Sequence, residues 1–305
     1  MRYYVAIFTT IVFFSTVEVV TKLVGHVDAN LLAFLRFFPS GVVILLLDVR
    51  QARTLTRRDF LGLAFLGFIG ITLTFSAYHG SLAMEGFPAS TGAVIFSINP
   101  VFCALAASIL LKERLTFAGM AGILLGFAGV YVVSFGFRPV AVSSVKAPLM
   151  MFAAQICFGI YVVAAKKYVA KYGPFFVNGV IFITGSILFI PLVGDWSVRM
   201  DVETVSQLAY LSLLATGAAY VLYFYGLNRV SVAAGTSLFY LKPVLAPLLA
   251  LQVLEDESLL TLEFLLGVLI IFASLTLTIL GGRKAAARKE TPTATGAASE
   301  EPTRP

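Results

Sequence analysis

Charged residues are scarce in this sequence. Only 12% of its 305 residues are Asp, Glu, Lys or Arg, whereas 59% are hydrophobic. A water-soluble domain carries roughly 25% charged residues because its surface must be hydrated, so the composition excludes an ordinary soluble protein. The formal net charge of +6 does not indicate a nucleic-acid partner, because the basic residues form short clusters between apolar runs rather than one basic face.

Residues that catalyse reactions or bind metal ions are also few. The two cysteines, Cys103 and Cys157, lie inside apolar runs, which is typical of packing residues rather than of a disulfide or a metal pair. The two histidines, His26 and His79, stand apart, and the sequence contains neither an HExxH motif nor a GxxxxGK(S/T) loop. The sequence therefore predicts no enzyme activity, no cofactor and no metal site. We interpret His79 as a residue near the outer end of a helix rather than as a proton shuttle.

Long hydrophobic runs are abundant, and each is long enough to cross a hydrocarbon core of ~30 Å as a helix. We place ten such helices at residues 3–23, 30–48, 60–83, 89–111, 117–135, 147–167, 174–193, 203–226, 232–253 and 261–281. The predicted fold class is therefore an all-α integral membrane protein surrounded by the lipid bilayer. Residues 282–305 change abruptly to Arg, Lys, Glu, Thr, Ala and Pro, a composition that predicts a disordered tail.

Basic residues are unequally distributed between the two sides of this predicted bundle. Fifteen fall at the N-terminus, in alternate loops and in the tail, and three fall on the other side, namely Arg138, Lys146 and Arg199. Because Lys and Arg are enriched on the cytoplasmic side of a membrane, we expect both termini to be cytoplasmic.

The sequence also contains an internal repeat. Residues 92–113 align without a gap on residues 235–256, at an offset of 143. The identical pairs include Gly92 with Gly235, Phe96 with Phe239 and Pro100 with Pro243. The repeat divides the chain into two five-helix halves, residues 1–140 and residues 141–281. Because each half has an odd number of helices, the second half is predicted to be inverted relative to the first.

The repeat carries a resemblance to a known family. The segments FPASTGAVIFSINPVFCALAASILLKERLT, SVAAGTSLFYLKPVLAPLLALQVLEDESLLT and LLAFLRFF resemble the ten-helix, EamA-type members of the drug/metabolite transporter superfamily. The resemblance covers residues 1–281. It implies a multi-pass protein of the bacterial inner membrane that transports a small molecule, and members of the family move amino acids, nucleotide-linked compounds, vitamins or drugs.

Lys242 is the strongest candidate for a substrate-binding residue. An ionisable side chain deep in a bilayer costs at least ~2.5 to 3.5 kcal/mol, so it is expected to have a partner or a role. Its repeat equivalent is Asn99, and both residues precede prolines, Pro100 and Pro243. These prolines predict helix kinks that free the carbonyls four residues earlier, near the midplane where transporters built from inverted repeats bind substrate. Further candidates for the substrate site are Tyr240, Gln155 and Tyr161.

Glu18 and Arg36 form a second candidate pair near the outer surface. They are predicted either to form a structural ion pair or to act in coupling, with Glu18 binding a proton or a cation and exchanging Arg36 for substrate. The predicted function is a secondary transporter that exports or exchanges an amino acid or another small carboxylate by alternating access. The alternatives are a proton-coupled exporter of cationic compounds that uses Glu18 and, more remotely, an intramembrane enzyme. The sequence does not predict an oligomeric state.

Overall fold

The computed structural model describes residues 1–85, 87, 92, 95–138, 145–199, 201–245 and 261–290, and in these segments the regular structure is helical. The description of side chains leaves out residues 18, 19, 22 and 282–290. The helices are α1 Arg2–Leu23, α2 Ala29–Leu47, α3 Arg57–Leu82, α4 Asn99–Leu110, α5 Phe117–Phe135, α6 Lys146–Tyr172, α7 Pro174–Leu192, α8 Val202–Leu227, α9 Val232–Leu245 and α10 Leu262–Glu290.

Within the described segments, seven helices are long and apolar enough to cross a membrane, namely α2, α3, α5, α6, α7, α8 and the part of α10 that ends at Gly281. The predicted helix 3–23 corresponds to α1, Arg2–Leu23. The predicted helices 89–111 and 232–253 correspond to the shorter apolar stretches Asn99–Leu110 and Val232–Leu245. Parts of the last two predicted helices lie outside the described residues.

The C-terminal helix extends beyond its predicted end. α10 continues to Glu290, past the predicted end at 281 and into the segment predicted as a disordered tail. The reason is that the segment after Gly282, RKAAARKE, consists of residues with high helix propensity, which can prolong a helix after its apolar part has ended. Residues 291–305 of the predicted tail lie outside the described residues.

Polar side chains mark where several helices begin. The N-cap side chains accept hydrogen bonds from backbone amides of the first turn, and they are Asp28, Thr56, Thr116, Asp201 and Ser231. Asp201 accepts from the backbone N–H of Thr204 at 2.7 Å, and this bond holds the pKa of the Asp201 carboxyl below its ordinary value. The loop on which Asp201 lies is thereby fixed to the start of α8.

The helix bounds recur at a constant interval along the chain. The interval from the start of α2 to the start of α7 is the same as that from α3 to α8 and from α5 to α10. The members of the first two pairs are also equal in length, and both α3 and α8 contain a π-helical segment, at Phe68–Leu73 and Tyr210–Ala218. The packing is reciprocal: α2 packs on its counterpart α7, and α5 packs on its counterpart α10. α3 packs on α7 and α6, and its counterpart α8 packs on α2 and α1. Two helices that are separated by this constant interval therefore pack against equivalent neighbours.

The α5–α10 contact depends on glycine. A Cβ atom at Gly129 would lie 2.8 Å from Cγ1 of Ile271 and 3.1 Å from the backbone oxygen of Gly267. A Cβ atom at Gly267 would lie 2.7 Å from the backbone nitrogen of Val133. Such close approach of two backbones is typical of small residues at helix interfaces in membranes.

We expect Gly129→Val to disrupt this contact, because the added side chain meets backbone that cannot move aside. Overpacking costs about 1 to 3 kcal/mol, so the variant should lose monodispersity in detergent at a lower temperature than the unmodified protein. Gly80→Val is the matched control, since a Cβ atom there meets only the terminal methyl of Met150, at 2.9 Å. Equal melting temperatures for both variants in size-exclusion assays would contradict this role of Gly129.

Candidate functional site

A cavity of about 370 Å³ lies between the helices, within the size range of small-molecule sites. Its wall is formed by α1, α2, α3, α6, α8, α9 and the residues just before α4. The apolar lining is mostly aromatic and includes Phe14, Phe75, Phe96, Phe158 and Phe239. The polar lining consists of Thr21, Arg36, Thr74, Tyr78, His79, Ser97, Tyr220 and Lys242. Two cationic side chains thus face a cavity whose walls are otherwise largely apolar.

Lys242 lies in the wall of this cavity. A 3₁₀-helical turn, Leu238–Leu241, precedes it, so the regular α-helix of α9 is interrupted immediately before Lys242 and Pro243. Its Nζ lies 5.1 Å from the centroid of the Phe96 ring, within cation–π distance. The sequence predicts that Pro243 frees the carbonyl of Phe239. That carbonyl instead accepts the backbone N–H of Lys242, because a 3₁₀ turn uses the carbonyl three residues back.

Arg36 contributes the second cation. Its side chain is 7% exposed, and its Nη2 donates to Oγ1 of Thr216 in α8 at 3.5 Å. The guanidinium carbon lies 5.5 Å from the ring centroid of Phe37 and 6.0 Å from that of Phe75. Arg36 is therefore held between aromatic rings and α8 and presents charge to the same cavity as Lys242. The side chain of Glu18, its predicted partner, lies outside the described side chains.

His79 is a cavity residue that was not predicted from the sequence to belong to the site. Its imidazole packs against the rings of Phe75 and Tyr78, with centroids 6.1 and 5.5 Å away. The spacing of Phe75, Tyr78, His79 and Leu82, all of which line the cavity, is the three- and four-residue spacing of one helix face. That spacing is the signal that identifies the cavity-facing side of α3.

Asn99 and Gln155 form a polar pair behind the cavity wall. Both are fully buried, and Nδ2 of Asn99 donates to Oε1 of Gln155 at 3.2 Å. They lie one helical turn from the lining residues Phe96 and Phe158 and do not line the cavity themselves. Pro100 occupies the first turn of α4, where its missing N–H costs no helix hydrogen bond.

The two tyrosines predicted for the substrate site are also buried behind the wall. Tyr161 is fully buried and packs on Phe158 and Phe224, with ring centroids 5.7 Å away in both cases. The hydroxyl of Tyr240 donates to the backbone carbonyl of Ile123 in α5 at 2.8 Å. The structure therefore brings Lys242 and Arg36 to the cavity, and it places Asn99, Gln155, Tyr161 and Tyr240 in the surrounding core.

An ion pair with additional hydrogen bonds lies at the end of the bundle where α4 and α6 terminate. Nζ of Lys166 donates to Oε1 of Glu113 at 2.9 Å and to the carbonyl of Val230 at 3.0 Å. Oε2 of Glu113 accepts the backbone N–H of Val232 at 3.0 Å. The network joins the loop after α4, the end of α6 and the start of α9. Lys166 follows the cavity residue Phe158 in α6 by just over two turns, which is about 12 Å along a helix.

The outer surface of the bundle is apolar. Large side chains with more than half of their area exposed occur on many of the helices, and examples are Leu47, Phe65, Ile109, Leu149 and Leu269. Exposed apolar surface of this extent is rare on soluble monomers, so it fits a protein that is surrounded by lipid.

Comparison with known proteins gives a family match over most of the chain. The model of the EamA-like transporter family matches residues 1–135 and again residues 145–280. An uncharacterized transporter of Clostridium kluyveri is 24% identical over 83% of this chain and 86% of its own length. A probable terminal-alkyne amino-acid exporter of Streptantibioticus cattleyicolor is 29% identical over 67% of each chain.

The fold is also similar to a solved one. A crystal structure that is 23% identical in sequence superposes with a TM-score of 0.77, covering 95% of this chain and 99% of that chain. At this level of identity the similarity concerns the fold alone.

Proposed function

This chain belongs to the EamA-like transporter family, and from that premise we propose that it is a secondary transporter that exports or exchanges an amino acid or another small carboxylate. The family match confirms the resemblance predicted from the sequence and makes the chain a multi-pass membrane transporter. Its surroundings are therefore lipid, and its substrate is a small molecule.

The observation that carries the proposal is the pairing of Lys242 and Arg36 in one largely apolar cavity. Charge-assisted hydrogen bonds from Lys and Arg are the strong interactions by which proteins bind carboxylates. The aromatic walls supply apolar contact for the rest of the ligand. Two cationic donors in one cavity favour a carboxylate ligand over the cationic alternative. The amino-acid exporter among the relatives supports the same substrate class.

We further propose that the chain forms two inverted five-helix repeats, residues 1–140 and 141–281. The constant interval between corresponding helices and their reciprocal packing support this arrangement. Inverted repeats place the substrate site between the halves. Lys242 of the second repeat and Arg36 of the first line one cavity, as this arrangement requires.

Alternating access then needs an end that opens and closes. We assign this role to the network of Glu113 and Lys166, because it joins three segments about 12 Å beyond the cavity residue Phe158. The distribution of basic residues supports a cytoplasmic location for that end and for both termini, and we propose that the protein lies in the bacterial inner membrane. We propose that the contacts of Glu113 and Lys166 hold this cytoplasmic end closed.

Flux in proteoliposomes tests the proposed substrate class. Purified protein should exchange labelled amino acids or small carboxylates and should not move their amides or cationic analogues. An imposed pH gradient shows whether protons are coupled to this flux. Flux of organic cations that depends on Glu18, with no flux of carboxylates, would contradict the proposal and support the cationic alternative.

A further inference from the structure

The imidazole of His79 carries a buried nitrogen, Nδ1. Nδ1 has no hydrogen-bond partner among the described residues, and the ring packs against those of Phe75 and Tyr78. A buried polar atom without a partner destabilises the folded protein. Such an atom in a native protein calls for a reason, and a ligand that supplies the missing bond is one.

A second unsatisfied group lines the same cavity. Oγ1 of Thr21 in α1 is buried without a hydrogen-bond partner in the described part of the chain, and both Thr21 and His79 are lining residues. The hydroxyls of Ser40, Ser76 and Ser212 are also buried without a partner among the described residues, but these three residues do not line the cavity. Thr21 and His79 are thus cavity-lining residues with an unsatisfied polar atom, distinct from the two cations. Because both atoms are buried, each side chain must turn toward the cavity to bond to a ligand.

We propose that His79, assisted by Thr21, is a specificity-determining residue that binds the amino group of the substrate. Since Arg36 and Lys242 line the same cavity, we take the imidazole as neutral, with one donor and one acceptor nitrogen. The acceptor receives an N–H of the substrate ammonium, while the cations bind the carboxylate. This inference rests on the proposed function and narrows it from carboxylates in general to α-amino carboxylates.

Matched ligand pairs test the inference by calorimetric titration of the purified full-length protein. The pairs are L-leucine with 4-methylpentanoate and L-phenylalanine with 3-phenylpropanoate, which differ only in the amino group. We expect the unmodified protein to bind the amino acid at least about tenfold more tightly than its partner, as one charge-assisted hydrogen bond predicts. His79→Leu should remove this preference by weakening amino-acid binding alone, and His79→Gln, which keeps an acceptor, should restore part of it. Thr21→Val should reduce the preference less.

The outcomes separate this inference from the proposed function. Equal affinity for both members of every pair in the unmodified protein would overturn the role of His79 and leave carboxylate transport standing. An equal loss of affinity for both members in His79→Leu, in protein that remains monodisperse, would also overturn it, because that loss indicates a purely structural role. Failure of every pair to bind would overturn the proposed function and this subsite with it.

Discussion

Replacing Lys242 by Met is expected to lower carboxylate flux by about tenfold to a hundredfold. The substitution keeps the length and apolar character of the side chain but removes the charge that faces the cavity. Loss of a hydrogen bond to a charged group costs about 1.5 to 3 kcal/mol, and each 1.4 kcal/mol corresponds to about tenfold in affinity. The change should appear in initial rates of labelled amino-acid exchange at substrate concentrations below saturation.

Two controls separate charge from packing at this position. Lys242→Arg keeps the positive charge and should retain part of the flux. Lys167→Met removes a lysine that is exposed near the end of α6 and lies 4.8 Å from the ring of Tyr168, outside the cavity lining, and it should change the flux by less than about twofold. The role of Lys242 would be disproved by Lys242→Met transporting carboxylates at the unmodified rate.

Replacing Glu113 by Ala is expected to open the end of the bundle that we propose the network of Glu113 and Lys166 closes. The carboxylate accepts from Lys166 and from the backbone of Val232, and both side chains are mostly buried, with exposures of 21% for Glu113 and 15% for Lys166. Removing hydrogen bonds to a partly buried charge costs about 1.5 to 3 kcal/mol. If these bonds form only when this end of the bundle is closed, the equilibrium between closed and open states should shift by about tenfold or more toward the state that is open to the cytoplasm.

Accessibility of a cavity residue measures this shift. Ser97 lines the cavity, so Ser97→Cys in a background without Cys103 and Cys157 can be labelled with an impermeant maleimide. Inside-out vesicles should label faster, and right-side-out vesicles more slowly, after Glu113→Ala. Asp59→Asn is the control at the same end: Asp59 is 20% exposed, similar to Glu113, but its partner Lys171 is 54% exposed, and ion pairs with an exposed partner contribute little. Unchanged labelling from both sides in Glu113→Ala would exclude the network as a gate.

The long helices could be predicted from the sequence because a span of lipid requires a long apolar run. The predicted segments 30–48 and 117–135 correspond to Ala29–Leu47 and Phe117–Phe135. The interruption before Lys242 could not be placed, because a 3₁₀ turn changes hydrogen bonding without changing hydropathy. The extension of α10 to Glu290 was missed for the opposite reason. The apolar run ends at Gly281, but residues with high helix propensity continue beyond it.

The candidate site was only partly predictable. Lys242 and Arg36 were selected because charge is costly in a membrane, and that argument needs no structure. His79 and the aromatic lining were missed because helices buried in lipid and protein are apolar on every side, so hydropathy does not distinguish the lipid-facing side from the cavity-facing side. The substrate-binding roles of Asn99, Gln155, Tyr161 and Tyr240 stay predictions, and their partners in the core depend on helix packing that one sequence does not reveal.

Protection of the cavity cysteine by substrate tests most directly whether carboxylates bind between the two halves. The carboxylate selected by the flux assay and its carboxamide are added separately to the Ser97→Cys protein, and the rate of maleimide modification is measured. We predict that the carboxylate slows modification, that the carboxamide does not, and that Lys242→Met abolishes the protection. A transported carboxylate that leaves the modification rate unchanged, or a carboxamide that protects equally well, would contradict a carboxylate site at Lys242.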